Sequence, residues 1–208
     1  MSNGPQGIRV RSRSDKLKLS TMSTQVKGAV LLSRKEFVRE EYGDDAWQKV
    51  LGGVSAAHRG QLEGVLLSSR WYPFDINADL DRAIVEVLGR GDRNVLKKIG
   101  ARSARTNLGG AHQAFLKKGN PQAFMAGTDR IYRFYYDEGH REYESTGPSS
   151  GVITTHGAAT FSENDCLTVI GWYEEALRMC GAARVQIAEE PCRARGGPYC
   201  RYLVSWAG

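Results

Sequence analysis

Apolar residues recur at helical intervals through the first two thirds of the chain. In the segment 26–42, Val30, Phe37 and Val38 lie one or two turns apart, and Gly43 follows as a typical helix-ending residue. Comparable patterns come next, separated by glycines and capping residues. They predict helices over 26–42, 44–51, a short stretch after Ser55, 75–88, 93–108, 111–118, and from Pro121 through Phe134.

The periodicity changes near residue 140. Segments 141–146 and 152–156 alternate polar with β-branched or aromatic residues on either side of GPSSG, which is typical of a β-hairpin. One more amphipathic helix is predicted over 162–180, followed by strands over 184–188 and 201–206. The sequence therefore predicts an α+β fold, with an N-terminal helical half packed on a small antiparallel sheet.

Charge is unevenly distributed along the 208 residues. The formal net charge is +6, but residues 1–25 contain five basic residues and one acidic residue, so the remainder is close to neutral. This segment has few bulky apolar residues, which predicts a disordered basic leader followed by a single domain over 26–208. A basic tail contacts phosphates without sequence preference, so we expect no sequence-specific nucleic-acid partner.

The hydropathy pattern disfavours membrane insertion and secretion. No apolar run reaches the roughly 18 residues of a membrane span, and the N-terminus lacks the apolar core of a signal peptide. We therefore expect a cytoplasmic protein without a membrane span.

Four cysteines lie close together in the C-terminal part of the chain: Cys166, Cys180, Cys192 and Cys200. Under reducing conditions such clustering favours metal binding or reactive thiols over disulfides. The loop between Cys192 and Cys200 contains two glycines and a proline, which let the chain fold back so that both thiolates converge.

Two further ligands would complete a zinc site. Zinc takes four tetrahedral ligands from cysteine sulfur, histidine nitrogen or carboxylate oxygen. Glu189 and Cys166 give the spacing Cys-x22-Glu-x2-Cys-x7-Cys, which predicts a structural zinc held by Cys166, Glu189, Cys192 and Cys200. Cys180 is the alternative to Cys166 as the fourth ligand, although a buried structural thiol is the simpler interpretation of that residue.

The C-terminal segment WYEEALRMCGAARVQIAEEPCRARGGPYCRYLVSW resembles the end of the 4-vinyl reductase domain, a small-molecule-binding module with a zinc site. In the similar sensory domain of phenol-responsive activators, three cysteines and a glutamate hold zinc at the spacing found here. The opening VKGAVLLSRKEFVREEYGDDAW resembles haem–nitric-oxide-binding domains, which share the wider fold with tethering-complex subunits. The core, about 26–206, also resembles an uncharacterised paralogous family abundant in myxobacteria.

Haem is not expected despite this resemblance. The haem-binding relatives hold the propionates with a Tyr-x-Ser-x-Arg triad, which this sequence lacks. No motif supports an axial ligand among the four histidines His58, His112, His140 and His156.

A ligand pocket of the kind found in this superfamily would lie between the middle helices and the sheet. Its predicted walls are aromatic, with one possible polar anchor, and comprise His112, Phe115, Tyr132, Phe134, Tyr136 and Trp172. Aromatic walls suit a small apolar or aromatic ligand. Aromatics at helical spacing are also common in ordinary cores, so that alternative stays open.

The sequence favours a binding domain over an enzyme. It contains no phosphate-binding loop, zinc-protease helix or nucleophile elbow, and a zinc with four protein ligands has no position for water. The leading hypothesis is a non-enzymatic, cytoplasmic small-molecule sensor that acts through a partner protein or a homodimer. The alternatives are a tethering-type interaction scaffold with a filled pocket, an enzyme of the vinyl-reductase type, and a redox-sensing thiolate at Cys192 or Cys200.

Overall fold

A computed structural model describes residues 24–110 and 112–207, and it confirms the α+β class. The described residues form eight α-helices and six strands. The helices are α1 (Gly28–Tyr42), α2 (Asp44–Gly53), α3 (Ala56–Glu63), α4 (Phe74–Val87), α5 (Asn94–Gly109), α6 (Pro121–Met125), α7 (Thr128–Tyr135) and α8 (Glu163–Met179). The strands are β1 (Gln25–Lys27), β2 (Trp71–Pro73), β3 (His140–Gly147), β4 (Ser150–His156), β5 (Ala183–Glu189) and β6 (Cys200–Ala207).

The first element of the fold is a short strand that the sequence pattern did not predict. In β1, Val26 is fully buried and pairs with Tyr72 of β2, so the first helix begins at Gly28 rather than at residue 26. Three-residue strands are too short to show an alternating pattern. The predicted disorder of the leader, 1–25, falls on residues outside the described part, except for Thr24 and Gln25, and Gln25 belongs to β1.

Two of the predicted helical segments are wrong in detail. The segment 111–118 contains only a 3-10 turn, Gln113–Phe115, among its described residues. The predicted helix from Pro121 is interrupted near Gly127, which separates α6 from α7. The Asn120 side chain caps α6 by accepting a hydrogen bond of 2.9 Å from the backbone N–H of Ala123.

The four-stranded sheet is antiparallel throughout, in the order β3-β4-β6-β5. Along β6, Cys200, Tyr202, Val204 and Trp206 are buried, whereas the intervening Leu203 is 48% exposed. This alternation gives the sheet one face for the helical layer, where α8 lies.

Helices α5 and α8 pack with their backbones almost in contact. A Cβ atom added to Gly100 would lie 2.0 Å from the carbonyl oxygen of Thr168, and one added to Gly171 would lie 2.1 Å from that of Lys97. Two glycines on facing helices therefore bring α8 close to α5 and set the position of its N-terminal end.

The apolar interior forms two clusters. One lies among α1 to α4 and the start of α5, and the other lies between the C-terminal part of α5, α7, α8 and the sheet. The described residues include no helix that is long and apolar enough to cross a membrane.

Candidate metal centre and adjoining cavity

Three cysteines and one glutamate from distant points of the chain meet at one end of the sheet. The potential ligand atoms of Cys166, Glu189, Cys192 and Cys200 all lie within 4.8 Å of one another. All three cysteines are buried, and the Glu189 side chain is only 5% exposed. The four predicted metal ligands are thus brought together by the fold.

Local structure explains how each ligand reaches this point. Cys166 lies in the first turns of α8, whose N-terminus is capped by Ser162, and Glu189 ends β5. Cys200 begins β6, so it lies at the same end of the sheet. Between Cys192 and Cys200 the chain makes a tight turn in which the N–H of Gly197 donates to the carbonyl of Cys192 at 2.9 Å.

The sulfur atoms have the separations that a tetrahedral zinc requires. The Cys166 Sγ lies 3.9 Å from the Cys192 Sγ and 3.8 Å from the Cys200 Sγ. With zinc–sulfur bonds of about 2.3 Å and tetrahedral angles, two ligated sulfurs lie about 3.8 Å apart. These two separations therefore fit the coordination of one zinc ion.

The charges of this group also favour a cation. The hydrogen bond between Cys166 and Cys200, together with burial, raises the pKa of Cys166. The same bond lowers the pKa of Cys200 to about 7. Burial, together with nearby negative charge, raises the pKa of Cys192 to about 11. Because Cys166 and Cys192 resist ionisation beside Cys200 and Glu189, the fully ionised set needs a cation among its members.

The Glu189 carboxylate gives an independent indication of a missing partner. Its Oε2 lies 3.5 Å from Arg195 Nη2, but its buried Oε1 has no hydrogen-bond partner among the described residues. A buried carboxylate oxygen without a donor is costly, and a bound metal would satisfy it.

The fourth cysteine is separate from this group. Cys180, at the C-terminus of α8, is fully buried in the apolar cluster beside the sheet, and burial raises the pKa of its thiol. The structure therefore favours Cys166 over Cys180 as the ligand. Among the described residues, the side chains of Arg193, Arg195 and Arg201 donate no hydrogen bond to these thiols, although the backbone N–H of Arg193 donates to Cys200 Sγ at 3.4 Å.

A cavity of about 50 Å³ lies between α1, α5, α7, α8 and β3. Its apolar walls are Val30, Ile131 and Val169. Its aromatic walls are Tyr132, Tyr135, Tyr136, Trp172 and Tyr173. Its remaining lining is polar and comprises Ser33, Arg34, Ser103, Arg141 and Thr168.

The predicted pocket residues divide between two places. Tyr132, Tyr136 and Trp172 line the cavity. His112, Phe115 and Phe134 instead form a separate aromatic cluster, in which the His112 and Phe134 rings lie 4.9 Å apart. Phe134 is 46% exposed, so this cluster lies at the surface. Helical spacing indicated that these aromatics are neighbours, but it could not show which side of α7 each one occupies.

Two buried arginines in the cavity wall were not among the predicted site residues. The Arg34 guanidinium donates to both Asp81 carboxylate oxygens, at 2.8 and 3.1 Å, and to Asp165 at 3.3 Å. Asp165 also accepts from the Tyr136 hydroxyl at 2.8 Å. The acceptors lie 47 and 131 residues from Arg34, so no local pattern reveals them.

Arg141 is the second buried arginine. It lies on β3 opposite Thr155, at a position whose side chain points towards α7 and α8, and it is 7% exposed. Its Nε donates to Thr155 Oγ1 at 3.0 Å and its Nη1 to the Tyr173 hydroxyl at 3.3 Å. A basic residue at an inward position of a predicted strand was the available signal in the sequence.

These residues do not fit haem. Ligand pockets commonly measure about 300–1,000 Å³, and side chains leave only about 50 Å³ here. His112 contacts the Tyr135 hydroxyl through Nδ1 at 2.9 Å and does not line the cavity. His140 and His156 stack on each other on the sheet, and His58 contacts Asp79.

Solved structures of similar fold include H-NOX proteins. The Fe(II) unliganded H-NOX protein from K. algicida has 12% sequence identity, with a TM-score of 0.67 over 88% of this chain and 97% of that chain. An H-NOX protein from S. oneidensis in the Fe(II)NO ligation state has 14% identity, with a TM-score of 0.65 over 88% of this chain and 99% of that chain. At such identities the likeness establishes an H-NOX-like fold.

The sequence of the chain also matches one protein family. No curated protein matches the chain. Residues 72–207, from β2 to the end of β6, match the family described as "Protein of unknown function (DUF2378)". This region contains the four potential metal ligands and most of the cavity lining, and because it covers more than half of the chain, the protein belongs to the DUF2378 family.

Proposed function

We propose that this protein is a non-enzymatic small-molecule sensing or binding domain, stabilised by a structural zinc ion. The observation that supports the zinc site is the convergence of Cys166, Glu189, Cys192 and Cys200, with ligand atoms within 4.8 Å of one another. Four protein ligands complete the tetrahedral coordination of zinc and leave no open position for a catalytic water.

The zinc would tie α8 to one end of the sheet. Cys166 belongs to α8, Glu189 to β5 and Cys200 to β6, so one ion cross-links the helix to two strands. This donor set is also what supports kinship with the 4-vinyl reductase domain and with zinc-containing sensory domains, beyond the shared H-NOX-like fold.

Metal analysis tests the zinc assignment. Protein purified without chelators should contain about one zinc per chain by elemental analysis and by native mass spectrometry. Glu189→Gln should lower zinc affinity, whereas Glu190→Gln, at the adjacent position, is the matched control and should retain the ion. Zinc-free protein that is fully folded would contradict the assignment.

The cavity supports the small-molecule part of the proposal. It combines aromatic and apolar walls with a few polar groups, which is the usual composition of ligand sites. The H-NOX proteins of similar fold include one in an Fe(II)NO ligation state and one in an oxygen complex, so this architecture is used elsewhere for small diatomic ligands. The output would pass to a partner protein or through a homodimer, and the reduced thiols suit the cytoplasm.

A thermal-shift screen of the zinc-loaded protein tests ligand binding. The screen should include small aromatic, aliphatic and ionic compounds, because a ligand that binds only the native state raises the melting temperature. The expected result is a saturable increase in melting temperature for compounds of a few heavy atoms, with none for molecules of the size of benzene or larger.

A second function is favoured by one observation: side chains already fill most of the space that a larger ligand would occupy. A cavity of about 50 Å³ is compatible with an interaction scaffold of the tethering type. In that case, light scattering should detect a stable dimer, and a screen over all compound classes should show no binding.

A further inference from the structure

We propose that the cavity lined by Arg141 binds a small oxyanion, either a short carboxylate or an inorganic anion of similar size. The inference rests on the proposed small-molecule-binding function and specifies the chemical class of its ligand. The observation that supports it is the buried charge of Arg141.

Arg141 carries a buried positive charge without a neutralising partner. Its guanidinium contacts two hydroxyl groups, those of Thr155 and Tyr173, and among the described residues no carboxylate lies within 4 Å of it. The Asp129 carboxylate bonds to the backbone N–H of Arg141, at 3.0 Å, rather than to its guanidinium. Buried charges are normally paired, so an unpaired arginine facing a cavity indicates an anion that completes the site.

Aromatic rings stabilise the positive charge of Arg141 only in part. The Arg141 Cζ lies 4.8 Å from the centroid of the Tyr132 ring and 5.5 Å from that of Tyr173. Such cation–π contacts favour the guanidinium, but they do not neutralise it.

The lining of the cavity has the polarity that an anion requires. Two guanidinium groups, those of Arg34 and Arg141, face it, and the described residues that line it include no acidic side chain. Arg34 is already neutralised by Asp81 and Asp165, both of which lie outside this lining. The positive charge available to a ligand therefore belongs to Arg141.

Unused hydrogen-bond donors surround the same space. The Tyr173 hydroxyl accepts from Arg141, and no acceptor for its own proton is found among the described residues. Ser103 Oγ accepts from Asn107 at 3.1 Å and likewise has a proton to donate. Arg141 Nη2 makes no hydrogen bond within the described part of the chain, so at least three donors are available to ligand oxygens.

A smaller adjoining cavity of about 20 Å³ shares four lining residues with the first, namely Tyr132, Tyr136, Arg141 and Val169. Thr160 lines it, and its Oγ1 is buried without a hydrogen-bond partner among the described residues. Asp165 also lines this smaller cavity, but its oxygens already accept bonds from Arg34, Asn77 and Tyr136. An anion is therefore favoured on the side of the larger cavity, where no acid faces it.

Size limits the ligand to a few heavy atoms. An apolar cavity of about 150 Å³ accommodates benzene, and this one is about a third as large. Formate, acetate, propionate and nitrate are of suitable size, and the apolar walls formed by Val30, Ile131 and Val169 can accept a short alkyl group.

The test uses the full chain loaded with zinc. Acetate, propionate, nitrate and phosphate are titrated by calorimetry and thermal shift, with chloride as the control for ionic strength and acetamide as the uncharged counterpart of acetate. A saturable rise in melting temperature of about 5–10 °C is expected at a hundredfold excess over Kd for at least one oxyanion. The carboxylate and inorganic arms show which source of oxyanion the site accepts.

Variants connect the effect to the proposed residues. Arg141→Met should abolish the saturable shift and should still fold, since it removes a charge without leaving an unpaired carboxylate. Tyr173→Phe should weaken binding about three- to tenfold by removing one donor. Arg178→Met, on the exposed face of α8, changes the net charge equally and should bind as the wild type does.

The outcomes separate this inference from the proposed function. Binding of oxyanions that is unaffected by Arg141→Met and Tyr173→Phe would overturn the inference. Stabilisation by neutral compounds alone would overturn it too, while leaving the binding function in place. If no compound of any class binds the folded, zinc-loaded protein, both are overturned and the scaffold remains.

Discussion

At the scale of single residues, the distinction that matters is between buried cysteines that converge and one that does not. Cys166, Cys192 and Cys200 lie around one point, whereas Cys180 packs among apolar side chains. The same residue type therefore has two physical roles in one small region, and each role predicts a different response to substitution.

Replacing one ligand should cost more than replacing the isolated cysteine. Cys192→Ser removes a proposed zinc ligand and should lower the free energy of unfolding by about 3–5 kcal/mol, because the binding energy of a structural metal contributes to folding. Cys180→Ser buries a hydroxyl at an apolar site and should cost about 1–2 kcal/mol while zinc is retained. Urea denaturation with elemental analysis measures both, and equal costs with unchanged zinc content would contradict the assigned ligand set.

The buried ion pair supports a second residue-scale prediction. Arg34→Met leaves the Asp81 and Asp165 carboxylates without their cation, and burial already raises the pKa of Asp81. The expected loss is about 3–5 kcal/mol in the free energy of unfolding, which denaturant titration measures. Glu86→Ala breaks an exposed pair with Arg82 and is the control, because solvent screens such pairs and little change is expected. A similarly small effect of Arg34→Met would show that the buried network contributes little to stability.

At the scale of elements, the close approach of α5 and α8 positions the N-terminal end of α8 and with it Cys166. The approach depends on Gly100 and Gly171, since a Cβ atom on either would overlap the backbone of the facing helix. In the sequence, these glycines are recognisable only as residues of low helix propensity. Their role in the close approach of α5 and α8 is visible only in the packing of the two helices.

Gly100→Ala should separate the two helices. We expect a loss of more than about 2 kcal/mol of stability and a reduced zinc affinity, because α8 carries Cys166. Gly60→Ala in α3 is the control: apart from the backbone of α3 itself, no described atom lies within 4 Å of its added Cβ, so it should stabilise the protein by up to about 1 kcal/mol. Thermal denaturation and zinc titration of both variants provide the measurement. Retention of wild-type stability by Gly100→Ala would contradict the described packing.

A single carboxylate joins α4 to the N-terminus of α3. Burial opposes ionisation of Asp79, but hydrogen bonds from Ser55, Arg82 and His58 outweigh it and lower the pKa of this carboxyl below its usual value. A depressed folded pKa gives stability that is present above the unfolded pKa of about 3.9 and lost as pH falls towards the folded one.

The contribution of Asp79 to the free energy of unfolding should therefore decrease as the pH falls. Asp79→Asn should be less stable than the wild type at pH 7, and the difference should shrink below about pH 4 as the wild-type carboxyl gains a proton. Urea midpoints of both proteins at several pH values measure it. A gap that widens on acidification would contradict the hydrogen bonds assigned to Asp79.

At the scale of the whole molecule, the described residues form two apolar clusters, and one of them adjoins the candidate metal centre. Cys166, Cys192 and Cys200 belong to the cluster beside the sheet, and the helices α2 to α4 surround the other. Because Arg34 joins α1 to Asp81 of α4 and to Asp165 of α8, the clusters are connected through a buried ion network.

Metal removal should therefore affect the two clusters unequally. After chelation, hydrogen exchange should accelerate most around 189–201 and the N-terminal turns of α8, whereas α2 should change least. Exchange measured by mass spectrometry with and without a chelator gives the comparison. Uniform acceleration would indicate that zinc stabilises the molecule only globally, and no change would argue against a structural ion.

The sequence determined the class of fold, most of the longer helices, the sheet strands and the spacing of four potential metal ligands. These features depend on local periodicity or on residue types whose chemistry is specific, so they can be interpreted without knowing which segments meet. The short strands β1 and β2 and the break at Gly127 escaped prediction, because their patterns extend over too few residues.

Only the tertiary structure decided which cysteine joins Cys192 and Cys200, which aromatics line the cavity, and which arginines are buried there. Each of these depends on contacts between residues far apart in the chain: Cys166 lies 34 residues before Cys200, and Arg34 lies 131 residues before Asp165. Whether a buried charge is paired is a property of three-dimensional neighbours, so the unpaired state of Arg141 could not be recognised before the fold placed β3 against α7 and α8.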